Sequence, residues 1–281
     1  MTDLWTAAAI IFTFSVAFGF AGFRFARKAH RRLTRFAVLT VVILIILYAT
    51  LLWNTPVLVS VVPSSNAIVL GNWFPIAAAL INGLYLGRFH GRHRRTKWIL
   101  VPLLCLVTVW SAADLVIGEP PACQDQWEAD ACLQSSPVSC SAAAAAMLLK
   151  LHDIEATESE MAQLCLTQST GTHWLGLYRG LALKTKGSPY KVEVFDCDVD
   201  QLRSHSSTAA ILFMGLDKDS ILSEIYSAKG WIPGVEHSVI LIGMSHRRWN
   251  IVDPAVGHEL WAERDLPMLW KGRGIRLVRR H

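Results

Sequence analysis

Apolar residues dominate four stretches of the first part of the chain: Leu4–Phe23, Phe36–Val59, Asn66–Leu86 and Trp98–Gly118. Each is close to the ~20 residues a helix needs to cross a ~30 Å hydrocarbon layer. The third carries Asn72, Pro75 and Asn82 and is the weakest on hydropathy alone. Beyond Gly118 the apolar runs shorten. Ser139–Lys150 is Ala-rich and predicts a helix, with Ser139 as N-cap after Pro137. Thr157-Glu-Ser-Glu160 is a capping box opening a second helix through Cys165. Thr172–Lys186 predicts a third, stopped by Gly187. The pattern then turns to strands at Tyr190–Phe195, Thr208–Met214, His237–Met244, Arg247–Val252, Gly257–Trp261 and Gly274–Arg279, with a short helix near Glu263–Trp270. Helices followed by an antiparallel sheet is an α+β arrangement. The expected organisation is a membrane region over 1–118, a connector over 119–131 and a soluble domain over 132–281.

Charge gives the membrane part a direction. Its 11 Lys/Arg all lie in Arg24–Arg35 and Arg88–Lys97, whereas Asn54–Ser65 carries no charge. The positive-inside bias puts both basic segments in the cytoplasm, so the chain must cross twice between them. Four spans leave both ends outside and the soluble domain extracytoplasmic, at the cell membrane. The opening Met1-Thr-Asp-Leu-Trp5 has no basic n-region, so the first span is expected to be retained. Membrane lipid is the first expected partner, and the basic segments read mainly as topological anchors.

With 52% hydrophobic and 17% charged residues, the chain is no disordered polymer. The net charge of +5 comes from the first part, because residues 118–281 hold 16 Lys/Arg against 20 acids. The basic balance therefore makes no case for nucleic acid. No Gly-x-x-x-x-Gly-Lys-Ser/Thr loop occurs, so ATP is not an expected ligand of this chain.

Six cysteines are present, without a Cys-x-x-Cys pair and without a His at zinc-site distance from two of them. Neither a metal nor another cofactor is expected. Cys123 and Cys132 flank a short loop on the outer side and read as either a disulfide or two free thiols. Cys165 and Cys197 read as small core residues.

Cys140 differs, because it opens a helix whose macrodipole and free N–H groups favour a thiolate and an oxyanion. A partner for it comes from the predicted hairpin. With the turn centred on Ser245–His246, Leu241 faces Trp249, Val239 faces Ile251 and His237 faces Asp253. An imidazole held by a carboxylate is what a base needs to take a thiol proton in one tautomer. The remaining candidates, His152, His173, His205, His246 and His258, lack an equally placed carboxylate in this reading.

The segment Gln134-Ser-Ser-Pro-Val-Ser-Cys140-Ser-Ala-Ala-Ala-Ala-Ala-Met-Leu-Leu resembles the active-site segment of peptidase family C39, the bacteriocin-processing cysteine peptidases. Thr170-Gly-Thr-His-Trp-Leu-Gly-Leu177, Glu236-His-Ser-Val-Ile-Leu-Ile-Gly243, Asn250-Ile-Val-Asp-Pro-Ala-Val-Gly257 and Trp270-Lys-Gly272 resemble its later blocks in order. The resemblance implies a papain-like α+β fold, with Cys140 as nucleophile, His237 as general base and Asp253 as its orienter. It also implies that Gln134 donates its side-chain amide to the oxyanion beside the Cys140 N–H. Two positions depart from the family: Ser141 stands where Gly is usual, and Ser139 where Asp is usual. Relatives inside exporters cleave leader peptides after Gly-Gly, joined to transporter and ATPase domains. The expected function is a membrane-anchored cysteine endopeptidase on exported or membrane-tethered polypeptides, at small-residue sites of the Gly-Gly kind. The alternatives are an acyl or peptidyl transferase using the same thioester, and a non-catalytic peptide-binding domain of a membrane complex.

Overall fold

In the computed structural model, which describes residues 2–88, 117–204 and 207–280, the chain divides into two units, 1–117 and 118–281. The first contains α1 (Thr2–Lys28), α2 (Arg31–Tyr48) continued by a π turn (Ala49–Trp53), α3 (Val57–Val61), α4 (Ala67–Leu70) and α5 (Phe74–Arg88). Three stretches are long and apolar enough to cross a membrane: Thr2–Lys28, Arg31–Trp53 and Ala67–Arg88. The second ends earlier than expected, at Trp53, because Pro56 biases the chain before it away from helix. The expected fourth span falls outside the described residues except for its last two, so the structure accounts for three apolar helices of the four.

The third stretch is broken at Gly71–Trp73, and α5 restarts with Pro75 in its first turn, where a missing N–H costs least. The Tyr48 hydroxyl donates to the Gly71 carbonyl at the break, as a backbone group in hydrocarbon requires. Glycine lets α1 and α5 touch closely. A Cβ on Gly83 would strike the Gly19 carbonyl, and one on Gly87 that of Phe23, the small-residue packing of membrane helices. Phe12, Phe14, Phe18 and Phe20 of α1 and Phe36, Leu39, Leu44 and Ile46 of α2 point outward. A surface this apolar marks membrane association.

The second unit opens with the hairpin β1 (Gln126–Glu128)–β2 (Ala131–Leu133). Three helices follow: α6 (Cys140–Lys150), α7 (Glu158–Leu164) and α8 (Trp174–Lys184). The six-stranded sheet has the order β3-β8-β4-β5-β6-β7, antiparallel throughout, from β3 (Tyr190–Asp196), β4 (Ala210–Gly215), β5 (Glu236–Ser245), β6 (Arg248–Asp253), β7 (Gly257–Ala262) and β8 (Trp270–Arg279). Short helices α9 (Val199–Ser204), α10 (Ser223–Ala228) and α11 (Leu266–Leu269) fill the connections. The fold is α+β with an antiparallel sheet, as the sequence pattern predicts. The hairpin β1–β2, α9 and α10 were not anticipated; runs of three to six residues are too short for periodicity to reveal.

Helix α6 is the central element. Every residue from Cys140 to Leu149 is buried, and a helix apolar all round must be enclosed. Its Ala run lets it lie against β4, β5, α7 and α8. The other face of the sheet carries a core of Leu212, Val239, Leu241, Trp249, Ile251 and Trp261 with their neighbours. Thr157 caps α7 as expected, accepting the Glu160 N–H at 3.1 Å. Ser139 does not cap α6; its hydroxyl turns back to donate to the Ser136 carbonyl at 3.0 Å.

The β5–β6 register also differs from the expectation. The turn is His246–Arg247, both at positive φ (48° and 61°), the mirror-type turn that suits strand twist. An irregularity between Leu241 and Gly243 then shifts the ladder, so Leu241 faces Ile251 and Ile240 faces Val252. Continued outward, this register makes His237 and Asp253 diagonal neighbours instead of direct opposites. Because the net shift is two residues, both stay on the same face.

Candidate active site

Cys140 is the first residue of α6, His237 the second of β5 and Asp253 the last of β6. A helix and a hairpin remote from it in sequence thus meet at one buried point. Cys140 and His237 are each 5% exposed and Asp253 is fully enclosed. The His237 Nε2–H donates to Asp253 Oδ1 at 2.7 Å, and the imidazole lies near enough to the Cys140 thiol for each to shift the other's pKa. With Nε2 committed to the carboxylate, Nδ1 is the nitrogen left for sulfur.

Asp253 is itself held from three sides. Its Oδ1 also accepts the Ala255 N–H at 2.8 Å, and its Oδ2 accepts Trp231 Nε1–H at 2.7 Å. The Trp231 ring lies 4.4 Å from the imidazole, centroid to centroid, and screens the His–Asp pair from water. Charge-assisted bonds of this kind, removed from solvent, fix both ring orientation and tautomer.

The electrostatics follow from this packing. Burial pushes the Cys140 thiol up, but the hydrogen bond and charge of His237, with help from the Ser238 backbone and Ser141, bring it below the ordinary value. For His237, burial lowers the pKa, and the bonds to Asp253 and Cys140 outweigh it, raising it to about 9. The described cysteines elsewhere go the other way. Burial lifts Cys123 to about 11, Cys132 and Cys165 to about 12, and Cys197 above its usual value. A thiolate–imidazolium pair is the arrangement that this environment favours.

Gln134 follows β2 and is tied to the same corner, its backbone N–H donating to the Pro254 carbonyl at 2.8 Å. Its Oε1 is buried without a hydrogen-bond partner. The loop from it to Cys140 is clamped: the fully buried Glu158 accepts both the N–H and the hydroxyl of Ser135, the N–H at 2.7 Å. Three of the four residues singled out in the sequence therefore meet in one buried cluster, His237 and Asp253 hydrogen-bonded, and the fourth is anchored to the residue after Asp253.

Sequence reasoning missed Trp231. Its only signal is a position six residues before His237 in a segment read as loop. It also missed a carboxylate for His258, whose Nε2 meets Asp130 Oδ1 at 2.7 Å in an exposed pair. Asp130 lies in the β1–β2 turn, out of reach of a register argument confined to one hairpin. His205 lies outside the described residues. Cys123 and Cys132 are free thiols, which selects the second of the two readings left open. Among the described residues, no three His, Cys, Asp or Glu side chains gather as a metal ion would require.

The peptidase domain of Streptococcus ComA, a bi-functional ABC transporter involved in quorum sensing, aligns with 53% of this chain and 96% of its own, at 17% identity and a TM-score of 0.42. A double-glycine-motif protease from an AMS/PCAT transporter, solved with its leader peptide, aligns with 58% of this chain and 99% of its own, at 14% identity and a TM-score of 0.43. No curated protein sequence matches the chain. The model of the Peptidase C39 family matches residues 129–280, more than half of the chain, and covers the buried Cys140, His237 and Asp253; the chain belongs to the Peptidase C39 family.

Proposed function

We propose that this protein is a multi-pass membrane cysteine endopeptidase, its residues 1–118 an anchor and 132–281 a peptidase domain on the extracytoplasmic side. The observation that carries the reading is the buried Cys140–His237–Asp253 chain, with its 2.7 Å His–Asp bond, in a member of a peptidase family. The Cys140 thiolate attacks the scissile carbonyl carbon and its electron pair forms the C–S bond. The resulting oxyanion lies at the start of α6, where the Cys140 N–H and the Gln134 side-chain amide are the donors. The unpartnered buried end of that amide suits the role, since a half-turn exchanges its oxygen and nitrogen. His237 then gives its proton to the leaving amine and takes one from the water that hydrolyses the thioester. Asp253 stabilises the imidazolium throughout, and Trp231 keeps water off the pair.

The substrate class is an exported or membrane-tethered polypeptide cut at a small-residue site of the Gly-Gly kind. Trapping polypeptides on a Cys140→Ala variant in its native membrane, followed by mass spectrometry, tests it. Enrichment of an exported polypeptide that accumulates uncleaved in that strain supports the reading; no such polypeptide would count against it. Reporters fused after Ala29 or His93 should score cytoplasmic and those after Val62 or Asp125 extracytoplasmic. A cytoplasmic score at Asp125 would reverse the compartment.

A further inference from the structure

Gln134 is held through its backbone from both sides. The peptide before its Cα donates, through the Gln134 N–H, to the Pro254 carbonyl at 2.8 Å. The peptide after it donates, through the Ser135 N–H, to Glu158 Oε1 at 2.7 Å. A residue has only two soft backbone dihedrals, so anchoring both flanking peptide planes sets the direction of its Cα–Cβ bond. One anchor, Pro254, follows Asp253 and belongs to the His–Asp side of the site. Glu158, the first residue of α7, is the other.

Glu158 is fully buried, at 0% exposure, and a carboxylate taken from water needs its oxygens hydrogen-bonded. Its Oε2 accepts the Ser135 hydroxyl. That hydroxyl accepts the Gln124 N–H at 2.7 Å, which leaves its own single proton for Glu158. Beside it, the Ser159 N–H donates to Asp125 Oδ1 at 2.8 Å. The connector, the loop after Gln134 and the start of α7 are thus tied together, with Glu158 at the centre. Starting the helix does not require this carboxylate, since Thr157 already caps α7.

We propose that Glu158 is a positioning residue of the candidate site, which through Ser135 fixes the backbone that aims the Gln134 amide at the oxyanion. The proposal rests on Gln134 being an oxyanion donor of the peptidase. Glu158 then acts on the transition state and spares the thiol. A purely structural carboxylate would change the amount of folded protein, not the kcat of the molecules that fold.

The test compares peptide cleavage by the full-length protein in detergent with the rate of Cys140 alkylation by iodoacetamide. Glu158→Gln keeps the shape but only one of the two acceptor oxygens. It should lower kcat about tenfold, the scale of one hydrogen bond to a charged group. KM should stay unchanged, as for an interaction made only in the transition state, and Cys140 should alkylate at its original rate. The second readout is coupling. In a Gln134→Ala background, Glu158→Gln should cost no further kcat, because the donor it aims is gone. A further tenfold loss in that background overturns the proposal. An unchanged kcat in Glu158→Gln, or alkylation that falls as far as kcat, overturns it as well. If Glu158→Gln loses its cooperative melt, Ser135→Ala decides by the same readouts. That variant keeps the N–H bond to Glu158 and should lose about threefold in kcat, the scale of a neutral hydrogen bond; an unchanged kcat overturns the proposal. Unfolding of both variants assigns the clamp to folding and overturns it too. Failure of the underlying reading looks different: Gln134→Ala alone would then leave kcat unchanged, or Cys140→Ala would retain full cleavage.

Discussion

Helix α1 of the first unit and α6 of the second are both apolar, and they are used in opposite ways. The 27 residues of α1 expose Trp5, Phe12, Phe14 and Phe20 along their length. Of the 11 residues of α6, Lys150 alone is exposed. Length separates them: one suffices to cross hydrocarbon, the other only to fill a core. Their close contacts also differ in kind. Gly83 and Gly87 bring α5 onto α1 where no hydrophobic effect drives helices together, whereas the Ala run of α6 sits in a core that water itself closes. The consequence is chemical. The large cavity of the first unit, ≈ 890 Å³, is walled by side chains such as Phe14, Leu44, Trp73 and Leu80 and offers little to do chemistry with. Burying α6 instead leaves the field of its N-terminus unscreened at Cys140.

The sharpest way to break this division of labour is Cys140→Ala. Cleavage should fall by ~10⁵ or more, the scale on which an essential nucleophile is lost. Full activity in a peptide assay would return the chemistry to some other residue. Next in size is removal of the first unit. A protein starting at Glu119 should cut a free peptide as the full chain does, but lose ~10²–10⁴ on a membrane-tethered substrate, because a shared bilayer raises effective concentration. Equal kcat/KM ratios for tethered and free forms would show that the first unit takes no part in substrate choice.

Within the second unit, Gln134→Ala should lower kcat by ~10²–10³, the usual cost of one oxyanion donor, while Cys140 alkylates at nearly its original rate. A loss of thiol reactivity with unchanged kcat would give Gln134 a different role. The pH dependence has a definite sign. A raised His237 pKa keeps the imidazolium through neutral pH and loses it through about 9. The lowered Cys140 pKa extends the thiolate to lower pH than an ordinary thiol. Activity should thus fall about tenfold per unit above about 9. A profile that still climbs beyond pH 9 would mean a neutral pair. The smallest effect is expected for Gly83→Leu. It should loosen α1 from α5 and lower the yield of folded membrane protein, with no change in cleavage of a free peptide per folded molecule. A matching loss of peptide cleavage would mean that the two units are coupled.

Much of the architecture is written locally. The apolar stretches, the Ala-rich helix opening at Cys140, the Thr157 cap on α7 and the strand alternation each depend on residues a few positions apart. The shared face of His237 and Asp253 does not, because the turn sets an odd register that the irregularity between Leu241 and Gly243 returns to even. What depends on distant contacts was not legible. His246 and Arg247 carry no Gly or Asn signature for a turn at positive φ, and the irregularity at Leu241–Gly243 leaves no mark in composition. Trp231 reads as one more aromatic in a loop until its indole N–H is found on Asp253. Ser139 has the chemistry of a cap, yet the Ser136 carbonyl is the acceptor its hydroxyl finds.

By itself, then, the sequence determined the kinds of element, their order, the apolar lengths that suit a membrane and the residue types able to act as nucleophile, base and orienter. Only the tertiary structure decided the ladder shift that makes His237 and Asp253 diagonal neighbours, the third donor on the carboxylate, and the Ser141–Ser238 bond beside the thiol. Periodicity and capping are short-range and survive in any window of a dozen residues. A hydrogen bond across 97 positions exists only once the sheet and helix have brought both ends out of water together.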